Sequence, residues 1–204
     1  MVAIINYGLG NVKAFANILK SLNVPFSIAS TPEELSKASK IILPGVGAFD
    51  HAMDKLNSSG LRETLEDQVL NKKVPVVGIC VGMQMLAKRS DEGTKEGLGW
   101  IDAEVKKFDV SKIQFKTHLP HMGWNDIKAT KTTPILKELE QNAKFYFLHS
   151  YYFVCNNSDN VIAEAEYGIN FTCAASNDNI YGVQFHPEKS HQWGIQLLKN
   201  FSEL

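Results

Sequence analysis

The first half of the chain alternates short apolar runs with segments in which apolar residues recur every three or four positions. Residues Val2–Ile5 and 40–43 are typical of strands that are buried on both faces. The segment 12–22 has helical spacing, and 25–29 predicts another strand. Residues 31–34 carry signals of a helix start, a threonine followed by a proline and two acids. This alternation predicts a parallel sheet covered by helices on both faces.

Two further helical segments, 50–57 and 61–70, precede a strand that ends at Cys80, after which helical spacing resumes. The second half differs, because turn residues divide it into short strand-like runs. These runs are residues 103–108, 124–127, 144–148, 161–166, 170–176 and 180–184. A helix over 192–201 follows them. We therefore predict an α/β fold for residues 1–204, a single domain whose mostly parallel central sheet carries extra antiparallel strands.

Composition narrows the possible partners. The 204 residues carry a net charge of −1, with 44% apolar and 21% charged side chains. This balance provides no basic field for nucleic acid and no basic stripe for a membrane surface, so neither partner is expected. The N-terminus lacks the basic region of a signal peptide, and no apolar run is long enough to span a bilayer. Three cysteines without close pairs fit a reducing compartment, so a cytoplasmic protein is expected.

Residues 78–82 form a Gly-x-Cys-x-Gly elbow directly after an apolar run. Glycines on both sides of Cys80 permit a turn too tight for side chains, and such a turn exposes its central residue at the edge of a sheet. The serine version of this elbow belongs to hydrolases, so cysteine predicts acyl transfer through a thioester. The helix expected after Cys80 would favour the thiolate through its free amides and dipole.

A base for this thiol is predicted far along the chain, at His186. A strand brings His186 to its carboxyl end, where a proline stops the strand. Glu188 lies two residues further on, and in an extended segment it points to the same side as His186. Cys80, His186 and Glu188 are therefore the predicted nucleophile, base and orienting carboxylate. Cys155 and Cys173 lack such surroundings and are predicted to be structural.

An oxyanion site is predicted in the turn 44–47, which follows the strand over 40–43. Its two glycines allow a backbone amide to turn toward a developing negative charge. The amides of Val46 and Gly47 are the candidate donors in this turn. The amide of Val81, directly after the nucleophile, is the natural second donor.

Six motifs follow one another along nearly the whole chain. Three of them are Pro-Gly-Val-Gly-Ala-Phe at 44–49, Gly-Ile-Cys-Val-Gly-Met-Gln at 78–84 and His-Pro-Glu-Lys-Ser at 186–190. They resemble class I, or triad, glutamine amidotransferases. The motifs at 6–11, 120–125 and 146–151 resemble, within that family, the glutaminase subunits of imidazole glycerol phosphate synthases. The resemblance implies a three-layer fold with helices on both faces of the sheet.

The resemblance also implies a reaction and a partner. Cys80 would attack the side-chain amide of glutamine, and ammonia would leave with a proton from His186 before water releases glutamate. The residues implied to hold glutamine are Gly47, Gln84, His149, Ser150 and Tyr151. The implied partner is a (βα)₈-barrel synthase subunit that consumes the ammonia within a heterodimer. The residues implied to face this partner are Asn11, Met122, Trp124, Asn125 and Lys189.

Other functions stay open at this point. Asn6, Val81 and Trp100 depart from the usual family pattern, which leaves room for a paralogue that supplies ammonia for amidino or amino sugars of surface polysaccharides. A cysteine peptidase or deglycase of related fold, and a non-catalytic binding protein, are further alternatives. The segments 8–10 and 118–121 match only fragments of dinucleotide and zinc patterns, so no cofactor and no metal site is predicted.

Overall fold

A sheet of eleven strands forms the centre of the protein, whose computed structural model describes residues 1–114 and 118–204. A second sheet has two strands, His121–Asp126 and Lys144–His149. The strands are β1 Val2–Ile5, β2 Phe26–Ala29, β3 Lys40–Gly45, β4 Val76–Cys80, β5 Arg89–Ser90, β6 Ala103–Lys107, β7 His121–Asp126, β8 Lys128–Ala129, β9 Lys144–His149, β10 Tyr151–Cys155, β11 Val161–Glu166, β12 Asn170–Asn177 and β13 Ile180–Val183.

Helices of very different length connect and cover these strands. The α-helices are α1 Val12–Ser21, α2 Pro32–Leu35, α3 Phe49–Ser58, α4 Arg62–Glu66, α5 Val81–Gln84 and α6 His191–Glu203, and α4 continues as a π-helical turn over Asp67–Asn71. The start of α2 is as predicted, since the Thr31 hydroxyl accepts from the Glu34 amide while Glu34 accepts from the Thr31 amide. Within the described ranges, no helix is long and apolar enough to cross a membrane.

The parallel part of the large sheet has the strand order β2-β1-β3-β4-β13. All four residues of β1 are buried, and their side chains point alternately to opposite faces, so both faces of the sheet are covered. Helix α1 packs against α6, and α2 packs against α4. The predicted α/β fold with a mostly parallel, doubly covered sheet is therefore confirmed.

Antiparallel strands extend this sheet, as predicted, but several boundaries differ from the sequence pattern. Strand β7 begins at His121, three residues before the predicted start, because it pairs over its full length with β9. Strand β10 has no counterpart in the sequence prediction, and it pairs with both β6 and β12. These pairings join residues that are distant in sequence, so local hydrophobic periodicity does not predict them.

Candidate active site

Three neighbouring parallel strands end at the same edge of the sheet. Cys80 is the last residue of β4, and Gly45, the last residue of β3, lies opposite it in the register. On the other side of β4, β13 ends at Val183, three residues before His186. In sheets of this kind, ligands bind just outside the carboxyl ends of the strands. The topology therefore brings the predicted nucleophile, base and oxyanion turn together.

The Cys80 backbone adopts a conformation that few non-glycine residues accept, with φ +55° and ψ −112°. The flanking glycines make this turn possible by close backbone contact. A Cβ atom on Gly82 would lie 2.1 Å from the Leu43 carbonyl oxygen, and one on Gly78 would lie 2.5 Å from the Gly82 carbonyl oxygen. The elbow is thus pressed against β3, which explains why glycine occupies both positions.

The helix after Cys80 is shorter than predicted, because α5 has a single turn, Val81–Gln84. The carbonyl oxygens of Met85, Leu86 and Ala87 accept instead from the amides of Leu98, Ile101 and Gly99, at 2.7, 3.1 and 3.1 Å. A helix does begin directly after Cys80, but its single turn aligns few peptide dipoles, so the dipole can supply only a small part of the predicted stabilisation of a thiolate. The electrostatic partner that the structure offers to Cys80 is His186.

His186 and Glu188 form a buried pair. His186 Nδ1 and Glu188 Oε1 are 2.8 Å apart, and the two side chains are 5% and 4% exposed. Pro187–Lys189 forms a 3₁₀ turn instead of the extended segment predicted, and this turn brings Glu188 back toward the ring. Burial lowers the pKa of His186, but interactions with Cys80 and Glu188 outweigh it and raise the pKa to about 10. The site thus favours an imidazolium beside the sulfur.

The loop that carries His186 is fixed to β9. The His186 amide donates to the Tyr146 carbonyl at 2.9 Å. The buried Ser190 hydroxyl donates to the His186 carbonyl at 2.6 Å and accepts from the Tyr146 amide at 3.0 Å. Helix α6 approaches so closely that a Cβ atom on Gly194 would lie 1.8 Å from the Pro187 carbonyl oxygen. The position of the imidazole is therefore set by the surrounding backbone.

The predicted oxyanion residues lie beside the nucleophile. Val46, Gly47 and Val81 line the same cavity as Cys80. Gly47 has a φ of +84°, and the space around its Cα is open, so the turn has room for a ligand. The Tyr7 hydroxyl donates to the Pro44 carbonyl at 2.7 Å and holds the beginning of this turn.

A cavity of about 320 Å³ surrounds Cys80, a volume in the range of small-molecule sites. All five residues predicted to hold a substrate line it, together with two members of the triad and residues that the sequence analysis did not select. The lining residues are Val46, Gly47, Cys80, Val81, Gln84, Glu92, Pro120, Leu148, His149, Ser150, Tyr151, His186 and Lys189. Lys189, predicted as a partner residue, thus also borders the cavity, with its ammonium group 5.7 Å from the centre of the Tyr146 ring.

Glu92 is a site residue that the sequence analysis missed. Its Oε2 accepts from the Phe49 amide at 2.9 Å, at the beginning of α3, where the preceding residue provides no side-chain cap. Asp50 holds the loop that carries Glu92, because the Asp50 carboxylate accepts from the amides of Thr94 and Lys95, both at 3.0 Å. A carboxylate on the cavity wall suits an ammonium group of a ligand. No local motif marks Glu92 in the sequence.

His149 reaches the cavity as a neutral ring. Its Nδ1 is 2.7 Å from the Tyr151 carbonyl, and its Nε2 is 2.9 Å from His121 Nδ1. Burial, aided by the neighbouring His121 and His186, lowers the pKa of His149 to about 3. The structure thus places His149 in the cavity wall, with both ring nitrogens already hydrogen-bonded.

The residues predicted to face a partner do not all share one face. Met122 and Trp124 are 62% and 47% exposed on β7, and Trp124 stacks on His191 with ring centres 5.4 Å apart. Asn125 points to the other side of the strand, where its Nδ2 donates to the Glu166 carbonyl at 2.8 Å. Asn11 is the exposed N-cap of α1, and its side chain accepts from the Ala14 amide.

The two other cysteines lie in surroundings that suppress ionisation. Burial raises the pKa of Cys155 to about 12, and burial also raises the pKa of the fully buried Cys173 well above its ordinary value. A thiol that stays protonated is a poor nucleophile. Cys80 is therefore the thiol whose surroundings fit catalysis.

Comparison with known proteins agrees with this geometry. The family model of class I glutamine amidotransferases matches residues 3–203. The chain belongs to the class I glutamine amidotransferases. As a member of this family it is an enzyme with glutaminase activity, and the alternatives of a peptidase, a deglycase or a non-catalytic binding protein are set aside.

The curated relatives of this amidotransferase match it over its full length. It is 57% identical to the imidazole glycerol phosphate synthase subunit HisH of Bdellovibrio bacteriovorus and 54% identical to that of Leptospira interrogans, each match covering 100% of both chains. It is 45% identical to the subunit HisH 2 of Pseudomonas aeruginosa, again over 100% of both chains. These relatives agree with the resemblance seen in the sequence motifs.

Solved structures share the fold of this amidotransferase. A putative GMP synthase protein from Thermoplasma acidophilum superimposes with a TM-score of 0.73 at 21% identity, covering 99% of this chain and 92% of the other. A second crystal structure, described as a glutamine amidotransferase, gives a TM-score of 0.73 at 17% identity, covering 100% and 99% of the two chains. At these identities the likeness extends to the fold alone.

Proposed function

We propose that this chain is the glutaminase subunit of an imidazole glycerol phosphate synthase. It hydrolyses glutamine to glutamate and ammonia, and the ammonia passes to a synthase subunit of the histidine pathway. The observation that carries the proposal is the meeting of Cys80, the His186–Glu188 pair and the glycine turn 44–47 at three adjacent strand ends. The full-length similarity to HisH subunits supports the choice of pathway.

The chemistry follows from this arrangement. The Cys80 thiolate attacks the side-chain amide carbon of glutamine, and the carbonyl oxygen gains negative charge facing the amides of Gly47 and Val81. The His186 imidazolium gives its proton to the departing nitrogen, ammonia leaves, and a thioester remains. The now neutral His186 then takes a proton from water, which attacks the thioester and releases glutamate. Glu188 stabilises the imidazolium in both steps through its 2.8 Å contact.

Recognition of the substrate is assigned to the cavity wall. Gly47, Gln84, His149, Ser150 and Tyr151 surround the glutamine, and Glu92 faces its α-ammonium group. Lys189, at the cavity rim, supplies the opposite charge for the carboxylate. The opposite charges of Glu92 and Lys189 favour a free amino acid, which carries an α-ammonium and an α-carboxylate group, over a ligand in which these two groups are uncharged.

The partner in this proposal is a (βα)₈-barrel synthase that forms a heterodimer with this chain. The exposed apolar side chains of Met122, Trp124 and Leu148 support a docking face on β7 and β9, next to the cavity that Leu148 also lines. Asn11 and Asn125 are also assigned to partner contacts in this proposal, but Asn125 would make them from the other side of β7, where its side chain donates to the Glu166 carbonyl. A cytoplasmic location is also part of the proposal, and it is supported by three unpaired cysteines.

The alternative of a paralogue for amidino or amino sugars is not favoured, because the relatives described above carry HisH names. The three departures from the family pattern leave the proposed triad unchanged. Asn6 donates to the Ser30 hydroxyl at 3.0 Å, and Trp100 is buried in the core. Val81 retains its backbone amide, the only part of that residue that the mechanism uses.

The test separates glutamine use from synthesis. The chain is mixed with the barrel synthase of its own genome, and product formation is measured with glutamine or with an ammonium salt. Cys80→Ala is expected to lose glutamine-dependent synthesis while ammonium-dependent synthesis continues, because the synthase site lies on the other chain. Cys155→Ala serves as the control and is expected to retain both. Glutamine-driven synthesis by Cys80→Ala would overturn the proposed nucleophile.

A further inference from the structure

Gln184 is a buried polar residue that follows β13, two positions before His186. Its side chain is fully buried, with 0% exposure, in a segment that is otherwise apolar. A buried amide without hydrogen-bond partners is costly, so its contacts indicate why it is placed there. Gln184 Nε2 lies 3.8 Å from Cys80 Sγ, and Gln184 Oε1 lies 3.0 Å from Gln84 Nε2.

The direction of this amide is fixed by its neighbours. The Tyr151 carbonyl oxygen can only accept a hydrogen bond, so the Gln84 atom 3.3 Å from it must be the donating Nε2. The same Nε2 faces Gln184, so the Gln184 atom opposite it must be the accepting Oε1. The remaining amide group, Nε2 of Gln184, is thereby directed at Cys80 Sγ. The Tyr151 carbonyl thus sets the orientation of the Gln84 amide, and through Gln84 it sets the orientation of the Gln184 amide.

Besides His186, Cys80 Sγ has two polar neighbours of opposite kind. The Leu148 carbonyl oxygen, 3.9 Å away, can accept a hydrogen bond only from a protonated thiol. The Gln184 amide can donate to the sulfur, and such a bond is stronger when the sulfur is negatively charged. With α5 reduced to one turn, little helix dipole is available, so a directed donor has more influence on the state of the sulfur.

We propose that Gln184 is a positioning residue that donates a hydrogen bond to the Cys80 thiolate and at the same time holds Gln84 against the glutamine cavity. The inference rests on the proposed function, since it deepens the account of the same site. Gln184 acts through Cys80 on the rate of thioester formation. Through Gln84 it acts on the binding of glutamine.

Gln184→Met tests the proposal, because methionine has a similar length but neither donates nor accepts as an amide does. The rate of alkylation of Cys80 by iodoacetamide is followed against pH by mass spectrometry of its peptide. The variant is expected to shift this profile upward by roughly one pH unit and to lower kcat for glutamine by about tenfold. The KM for glutamine is expected to rise as well, because Gln84 keeps its contact with the Tyr151 carbonyl but loses the one with Gln184. An unchanged alkylation profile in the folded variant would overturn the proposal.

A second variant and a matched control guard against a purely structural effect. Gln184→Glu keeps the shape of the side chain but places a carboxylate near the sulfur, so the profile should shift further upward. If neither variant moves the profile, the proposal is overturned, even if kcat falls. Gln68→Met removes another buried glutamine, which donates to the Ser36 carbonyl at 3.0 Å, and should leave the profile unchanged. Alkylation needs neither glutamine nor a partner, so this inference can fail while the proposed function stands.

Discussion

His121 Nδ1 and His149 Nε2 lie 2.9 Å apart, and their hydrogen bond joins β7 to the wall of the cavity beside Cys80. His149 Nδ1 faces the Tyr151 carbonyl, which can only accept, so the proton of His149 is on Nδ1 and His149 Nε2 accepts from His121. His121 Nε2 is then free of a proton and accepts from Asn125 Nδ2 at 3.3 Å. A directed chain of hydrogen bonds therefore leads from Asn125 to Tyr151, the same residue that orients Gln84.

This pair of histidines should make folding sensitive to acid. Burial lowers the pKa of His121 from the ordinary 6.5 to about 4. Between pH 6.5 and pH 4, His121 is therefore protonated in the unfolded chain and neutral in the folded chain. Stability therefore rises with pH in this window and is lost as the pH falls from 6.5 toward 4. From pH 7 to pH 5 the free energy of unfolding should decrease in both proteins. We expect the decrease to be smaller in His121→Gln than in the unmodified protein, by roughly 1–2 kcal/mol.

Urea unfolding at the two pH values measures this difference. Glutamine retains an amide that can donate to His149, so the network is altered less than it would be by an apolar side chain. His51→Gln replaces an exposed histidine and is the control, expected to keep the pH dependence of the unmodified protein. If His121→Gln loses as much stability as the unmodified protein does, His121 is not held neutral by the fold.

Glu92 should determine how tightly the amidotransferase binds free glutamine. We expect Glu92→Gln to raise the KM for glutamine by about tenfold with kcat changed less than about twofold, because a charge-assisted contact is lost equally in substrate and transition state. Steady-state glutaminase kinetics provide the measurement. Asp50→Asn is the matched control, since Asp50 fixes the same loop without lining the cavity. An equal rise in KM for both variants would assign the effect to the position of the loop.

The sequence predicts best those parts of the site that have local causes. The glycines around Cys80 indicate a tight turn directly, and the proline after His186 indicates the end of a strand. The sequence does not predict the short length of α5, because the carbonyls of the residues that would continue it, Met85, Leu86 and Ala87, accept from amides more than ten residues away. The same holds for Glu92 and Gln184. Their roles depend on which strands and loops meet at the sheet edge, and no local pattern encodes that meeting.

Two glycines near the nucleophile should respond very differently to alanine. In Gly82→Ala the new Cβ would meet the Leu43 carbonyl oxygen at 2.1 Å, a backbone atom that cannot move aside, so we expect a loss of more than about 3 kcal/mol or a failure to fold. In Gly47→Ala the new Cβ meets open space, and the cost is the positive φ, about 1–2 kcal/mol. Thermal unfolding compares the two variants, and equal losses would contradict the close contact of the elbow with β3.

Trp124 should anchor the synthase partner. It is half-exposed beside Met122 on β7, yet its indole is held by stacking on His191, so little freedom is lost when a partner covers it. Large aromatic side chains in such positions contribute about 2 kcal/mol or more to association, so Trp124→Ala is expected to weaken binding by roughly thirtyfold. Isothermal titration with the barrel synthase measures the affinity. Leu70→Ala removes a similarly exposed apolar side chain from the π-helical turn Asp67–Asn71, away from β7, and is expected to bind normally. Should Trp124→Ala bind as tightly as Leu70→Ala, the docking face lies elsewhere on the protein.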